Sequence, residues 1–109
     1  NKLTRVSEEN FFNEYFGVPE LVAAMGMSRT ALHIRLKRVS GLSASQWIRH
    51  FRLGKAATML KGEGISVSEI SWRCGLPDTA YFIRLFRQQF GVSPGVFREN
   101  YLRTTPNEQ

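Results

Sequence analysis

Val67-Ser68-Glu69-Ile70, followed by Gly75-Leu76, echoes Val18-Pro19-Glu20-Leu21, followed by Gly26-Met27, at an offset of 49 positions. One residue is inserted near Pro77, and the echo continues at an offset of 50. Ser28 then meets Asp78, Leu32 meets Phe82, Leu36 meets Phe86, Lys37 meets Arg87, and Gly41-Leu42-Ser43 meets Gly91-Val92-Ser93. Each copy reads as a short helix, a glycine turn and a longer helix whose outer face is basic or polar. A repeat of this kind is one supersecondary module used twice.

Working outward from the repeat, the pattern is helical throughout, and no stretch alternates with period two for long enough to argue a strand. Residues 1–6 read as loose. Ser7 is placed to cap a first helix reaching Phe16, with Phe11, Phe12, Tyr15 and Phe16 as its apolar face and Gly17 as its stop. Pro19 suits the first turn of a second helix, where its missing N–H costs nothing. Leu21, Val22 and Met25 form that helix's buried stripe. Gly26 makes the turn, and Ser28 caps a third helix running to Ser40 and stopped by Gly41. Ser43-Ala44-Ser45-Gln46 is a capping box that opens the longest helix, Ala44 to Lys61, with Trp47, Ile48, Phe51, Ala56 and Leu60 inward. Ser66-Val67-Ser68-Glu69 is a second capping box, Asp78 caps a sixth helix ending before Gly91, and Ser93-Pro94 starts a last one holding Val96, Phe97 and Tyr101. Residues 103–109 are polar and read as a frayed end. The expected fold is all-α, a single domain over residues 1–109. It divides into a first helix-turn-helix unit (7–42), a linker helix (43–61) and a second unit (65–102).

The charge is uneven. The net charge is +6, and residues 28–61 hold eight Lys or Arg with no Asp or Glu. A one-sided field of this sort suits a polyphosphate partner. On a helical wheel Leu32, Leu36 and Val39 fall on the inner side of the third helix, while Thr30, His33, Ile34 and Lys37 fall opposite, with Arg38 at the flank. In the sixth helix Phe82, Leu85, Phe86 and Gln89 turn inward; Ala80, Ile83, Arg84 and Arg87 turn outward, with Thr79 near the tip. A helix presented over a helix and a glycine turn is the geometry that fills a major groove. Arg84 has the fork to pair with guanine O6 and N7, worth roughly 1–3 kcal/mol of discrimination. Thr30, Ile34, Thr79, Ala80 and Ile83 suit thymine methyls, His33 suits a base edge, and Arg29 joins this base-contacting set. Lys37, Arg38, Arg49 and Arg87 suit phosphates, as do the N-terminal amides at and after Ser28 and Ser68. The alternatives are solvated charges for Lys37, Arg38 and Arg87, an internal ion pair for Arg84, and core or protein contacts for Ile34 and Ile83. For Arg35 and Arg52, nearer the packed sides, a structural ion pair and a DNA contact are equally open.

The linker helix sets the architecture. At 1.5 Å per residue a helix of about 18 residues is roughly 27 Å long, against about 34 Å for a turn of B-DNA. A rod of that size can hold both units over successive major grooves on one side of a duplex. Other chemistries find little support. There is no Gly-rich phosphate loop and no nucleophile–base pair, so no enzyme and no cofactor are expected. His33 and His50 lack acidic or Cys partners at metal spacing, so no metal is expected. The lone Cys74 forms no internal disulfide and reads as a small core residue in a reducing compartment. No apolar run is long enough to span a membrane. The chain starts at Asn1 rather than Met, which suggests a piece of something longer.

The segments Gly26-Met27-Ser28-Arg29-Thr30-Ala31-Leu32, Arg52-Leu53-Gly54-Lys55-Ala56-Ala57-Thr58-Met59-Leu60 and above all Val67 to Arg98 resemble the AraC/XylS family of bacterial transcription regulators. In the last stretch Ile70-Ser71, Gly75, Tyr81-Phe82, Arg84-Leu85-Phe86-Arg87, Phe90-Gly91-Val92-Ser93-Pro94 and Arg98 follow the family signature. The resemblance covers Val18 to Tyr101. It implies seven helices, two subdomains joined by a long helix, and promoter binding in the bacterial cytoplasm. It implies base-contact positions at Thr30, His33 and Ile34 in the first copy and Thr79, Ala80, Ile83 and Arg84 in the second. It also implies RNA polymerase as a partner and a sensor or receptor domain upstream. Three departures stand out: Ile34 where the family often has Arg or another polar residue, Leu76 for the usual Phe, and a shorter stretch before Val18. The alternative is a helical protein-interaction module presenting Ile34 and Ile83, without sequence-specific DNA binding.

Overall fold

The computed structural model describes residues 1–62 and 64–104. Among them the chain forms seven helices and no strand: α1 (Lys2–Asn10), α2 (Val18–Met25), α3 (Arg29–Ser40), α4 (Ala44–Lys61), α5 (Val67–Arg73), α6 (Thr79–Phe90) and α7 (Pro94–Thr104). The fold class is all-α, as expected. The expected fray at 103–109 lies outside the described residues from 105 onward, and α7 itself runs to Thr104.

Local chemistry accounts for most boundaries. Ser28 Oγ accepts from Ala31 N (3.1 Å) at the start of α3, Ser43 Oγ from Gln46 N (3.2 Å) at α4, Ser66 Oγ from Glu69 N (3.0 Å) at α5 and Asp78 Oδ1 from Tyr81 N (3.1 Å) at α6. Gln46 completes its box by accepting from Ser43 N at 2.9 Å. The repeat is written into the backbone. Gly26 (φ 68°) and Gly75 (φ 80°) make the two turns, and Gly41 and Gly91 stop α3 and α6, all four left-handed. A side chain at those φ values costs energy that glycine does not incur.

Two apolar clusters share α4. Leu3, Leu21, Leu32, Leu36 and Ile48 anchor the first; Leu53, Leu60, Ile70, Phe82 and Phe86 anchor the second. Each such fully buried side chain contributes about 1.5–3 kcal/mol. α4 packs against α2 and α3 with one half and against α5, α6 and α7 with the other. The body is elongated, 49 × 25 × 22 Å.

The start of the chain departs from expectation. Residues 2–10, not 7–16, form α1, and its cap is Asn1, whose Oδ1 accepts from Thr4 N at 2.9 Å. Ser7 is buried mid-helix: its hydroxyl donates to Leu3 O (2.8 Å) and accepts from Trp47 Nε1 (2.9 Å). The run Phe11 to Phe16 is irregular, with Phe16 buried and Phe12 and Tyr15 exposed. Val39 and Gln89, expected inward, are exposed. They occupy equivalent positions in the last turns of 12-residue helices whose partners α2 and α5 are only 8 and 7 residues long. The last turn of α6 packs instead through Phe90, against Phe86 and Phe97.

Arg52 is the other correction. Among the described residues it makes no ion pair, and it is only 8% exposed. Nε donates to Phe11 O (3.1 Å), and Nη2 to Asn13 O (2.8 Å) and Phe16 O (2.9 Å). Burial lowers its pKa from the ordinary value, with Cys74 and Glu14 opposing. Arginine starts so high that it stays charged at neutral pH. Burial likewise pushes the Cys74 thiol up to about 12, so it is an un-ionised core group beside Met59.

Candidate nucleic-acid interface

The cations of residues 28–61 divide into two groups. Arg52 is consumed by the carbonyls above. Lys55 pairs with Glu8 and lies over the rings of Phe11 (5.5 Å) and Phe51 (5.6 Å). Lys61 sits 5.6 Å from the Tyr101 ring centroid. Arg29, Arg35, Lys37 and Arg38 are all exposed on α3. Among the described residues no carboxylate lies within ion-pair distance of these four, nor of Arg84 or Arg87. The internal ion pair considered for Arg84 is therefore absent among the described residues.

α3 presents its residues on two adjacent surfaces. Arg29, Thr30 and His33 line a recess with Val22, Ser43 and Ser45, where the start of α3 meets the start of α4. Ile34 and Arg38 line another, with Met27, Ala31, Arg35 and Val39. Ile34 is 54% exposed, a free apolar side chain on a cationic helix. Ser28 is exposed at the tip, its oxygen already engaged in the cap.

α6 is arranged differently. Ala80, Arg84 and Arg87 are exposed, and Thr79 is half-buried. Ile83, expected outward, is half-buried and packs on the second cluster. It lies at the margin of that cluster rather than fully in solvent. The Arg84 guanidinium lies 5.2 Å from the Tyr81 ring centroid. Sequence reading passed over Tyr81, although the i−3 spacing to Arg84 was a sufficient signal. The Asp78 carboxylate caps α6, placing a negative charge where α3 has the neutral Ser28 hydroxyl.

Arg49 is half-buried and lines a cleft between the units, bordered by Glu14, Ser45, Tyr81 and Leu85. Ser68 is exposed inside the first turn of α5, since Ser66 is the cap. Glu69 follows it, with Oε2 accepting from Arg73 Nε at 2.9 Å. No cluster of three metal-ligating side chains occurs among the described residues, and none of their helices is long and apolar enough to cross a membrane.

Comparison with known proteins follows the same lines. Residues 21–100 match a family profile described as a helix-turn-helix domain. The chain is 37% identical over 100 residues to the transcriptional activator RhaS of Salmonella schwarzengrund, covering 91% of this chain and 35% of that one. It is 30% identical over 100 residues to histidine kinase P4 of Formosa agariphila, covering 92% of this chain but 7% of that one. The chain thus spans about a third or less of these curated relatives. Among solved structures, the DNA-binding domain of AdpA in complex with a target DNA superimposes with a TM-score of 0.85 at 28% identity, covering 96% of this chain and 94% of that one. The profile match and the activator relative agree with the fold, and the chain belongs to the AraC/XylS family of helix-turn-helix transcription regulators.

Proposed function

We propose that this domain binds double-stranded DNA sequence-specifically in bacterial transcription regulation, with α3 and α6 in successive major grooves. The observation that carries the reading is the pair of exposed cationic helices, each presented over a glycine turn and packed on opposite halves of one 18-residue helix. The 49 Å body is long enough to follow one turn of B-DNA, about 34 Å. Arg84 reads a base, and Thr30, His33 and Ile34 read the other half-site with Arg29 beside them. Thr79, Ala80 and Ile83 add apolar contact next to Arg84. Ser28, Lys37, Arg38, Arg49, Ser68 and Arg87 hold phosphates and set the register. On this reading the domain is the output end of a larger regulator, with an upstream sensor or receptor and RNA polymerase as partners.

Selection from a random duplex pool tests this. The expected product is a non-palindromic site with two conserved blocks about 10 base pairs apart. Log affinity should fall linearly with log salt, by about 0.9 per phosphate contact, and Lys37→Ala should remove about one such unit on every sequence alike. A pool that yields no motif, together with a flat salt response, overturns the proposal.

A second reading has one feature in its favour. Phe12, Tyr15 and Trp72 are exposed aromatic residues lining one groove with Met59 and Pro77. A protein-binding module would use that groove, and its truncation would then abolish function while leaving DNA affinity unchanged.

A further inference from the structure

We propose that Arg52 is the positioning residue that fixes the separation of α3 and α6, and with it the half-site spacing the domain accepts. The inference rests on the two-groove reading above. The first unit and the second unit both pack on α4 through apolar side chains, whose burial is non-directional. A directional contact adds a defined geometry where the units meet, and the structure offers one at the middle of α4, between Ile48 of the first cluster and Leu53 of the second.

There the buried guanidinium donates to three carbonyls of the irregular segment that links α1 to α2, those of Phe11, Asn13 and Phe16. The segment is thereby held to α4 at three points. The turn of the second unit closes on the same place from the other side. A Cβ built on Gly75 would lie 2.4 Å from Phe11 O and 3.0 Å from Arg52 Nε. The turn, the guanidinium and the first unit's segment are thus in direct contact.

The repeat supplies an internal control. Gly26, the counterpart of Gly75, has the same left-handed backbone, yet a Cβ there would meet nothing within 4 Å. A helix-turn-helix turn therefore does not require a crowded glycine. The crowding at Gly75 belongs to the junction between units. A lysine at position 52 would keep the charge but lose the fork that spans three carbonyls.

The test measures binding of the 109-residue chain to duplexes carrying both selected half-sites, at the selected spacing and with two base pairs added or removed. The parent should lose tenfold or more on the altered spacings. Arg52→Lys should reduce that loss to threefold or less, while its affinity for either half-site alone stays within twofold of the parent. An Arg52→Lys protein that keeps the full spacing penalty overturns the inference. A parent with no spacing penalty overturns the two-groove reading as well, so the two failures are distinguishable. Should Arg52→Lys fail to fold, residual dipolar couplings of the parent decide. One alignment tensor for residues 2–40 and 67–104 supports the lock, and two different tensors refute it.

Discussion

At equivalent positions α3 carries Ala31 and Ile34, and α6 carries Tyr81 and Arg84. Both helices are 12 residues long, both end on a left-handed glycine, and both expose the same side. The first copy carries four exposed cations, unpaired among the described residues, and an exposed isoleucine; the second carries two exposed arginines, Arg87 and Arg84, the latter stacked against the Tyr81 ring. Behind the helices the contrast continues. The first cluster is mainly aliphatic, whereas Phe86 in the second meets Phe90 at 4.4 Å and Phe97 at 5.4 Å between ring centroids. On the proposed reading, the cation-rich first copy contributes more of the phosphate affinity, and the second, through Arg84, more of the base discrimination. The caps agree: neutral Ser28 leaves the start of α3 open to an anion, while Asp78 puts a carboxylate at the start of α6.

The largest expected effect tests the cores. Phe86→Ala removes the hub of the aromatic cluster and should cost about 3–5 kcal/mol, and Leu36→Ala, its counterpart, about 2–5. Urea unfolding should show Phe86→Ala as the more damaging of the two. Equal losses would mean that the aromatic stacking adds nothing to ordinary burial.

Base reading comes next. Arg84→Ala should weaken the selected site by roughly 1–3 kcal/mol and flatten preference at one base pair. Ile34→Ala should leave preference in the Arg84 half-site intact and weaken preference in the other half-site less than Arg84→Ala weakens its own. If Arg84→Ala ranks single-base variants as the parent does, the division of labour between the helices is wrong.

A smaller effect sharpens the account of α6. Tyr81→Ala removes the surface under the Arg84 guanidinium and should cost about 0.5–1 kcal/mol of binding, confined to the base pair that Arg84 reads. Tyr81→Phe keeps the ring and should match the parent in the same binding titration. Identical binding by Tyr81→Ala would show that Arg84 needs no support.

The least effect is on the alkaline side. Cys74 occupies the position that Met25 holds in the first copy. Its thiol is raised from the ordinary 9.0 to about 12 by burial, with Arg52 and Lys55 opposing. A raised pKa means the unfolded chain ionises first. The stability linked to Cys74 is therefore complete below pH 9 and drains away as pH climbs toward 12. Denaturant titrations across that range should fall more steeply for the parent than for Cys74→Ala; parallel slopes would refute the assignment.

The repeat was legible because its marks are local. Ser28, Ser43 and Ser66 accept from amides three residues on. Helix one was misread for the opposite reason. Ser7 has the composition of a cap, but its hydroxyl is engaged by Trp47, 40 positions away. The run of four aromatics from Phe11 to Phe16 resembles a buried helical stripe, yet three carbonyls within it are drawn to Arg52 instead of to a helical ladder. Among site residues, Thr30, His33, Lys37 and Arg84 could be placed outward by periodicity alone. Ile83 could not, because its packing on the second cluster is a tertiary contact that periodicity does not encode.

By itself the amino-acid sequence determined where α2 to α6 begin and stop and that the unit occurs twice, since caps and left-handed glycines act within four residues. Only the tertiary structure decided which cations are available to a partner. Arg29 and Lys37 remain in solvent, while Arg52 and Lys55, from the same basic stretch, are drawn into the fold by groups about 40 positions earlier in the chain. A cation's role follows from the acceptors and rings that surround it, and distant segments bring those.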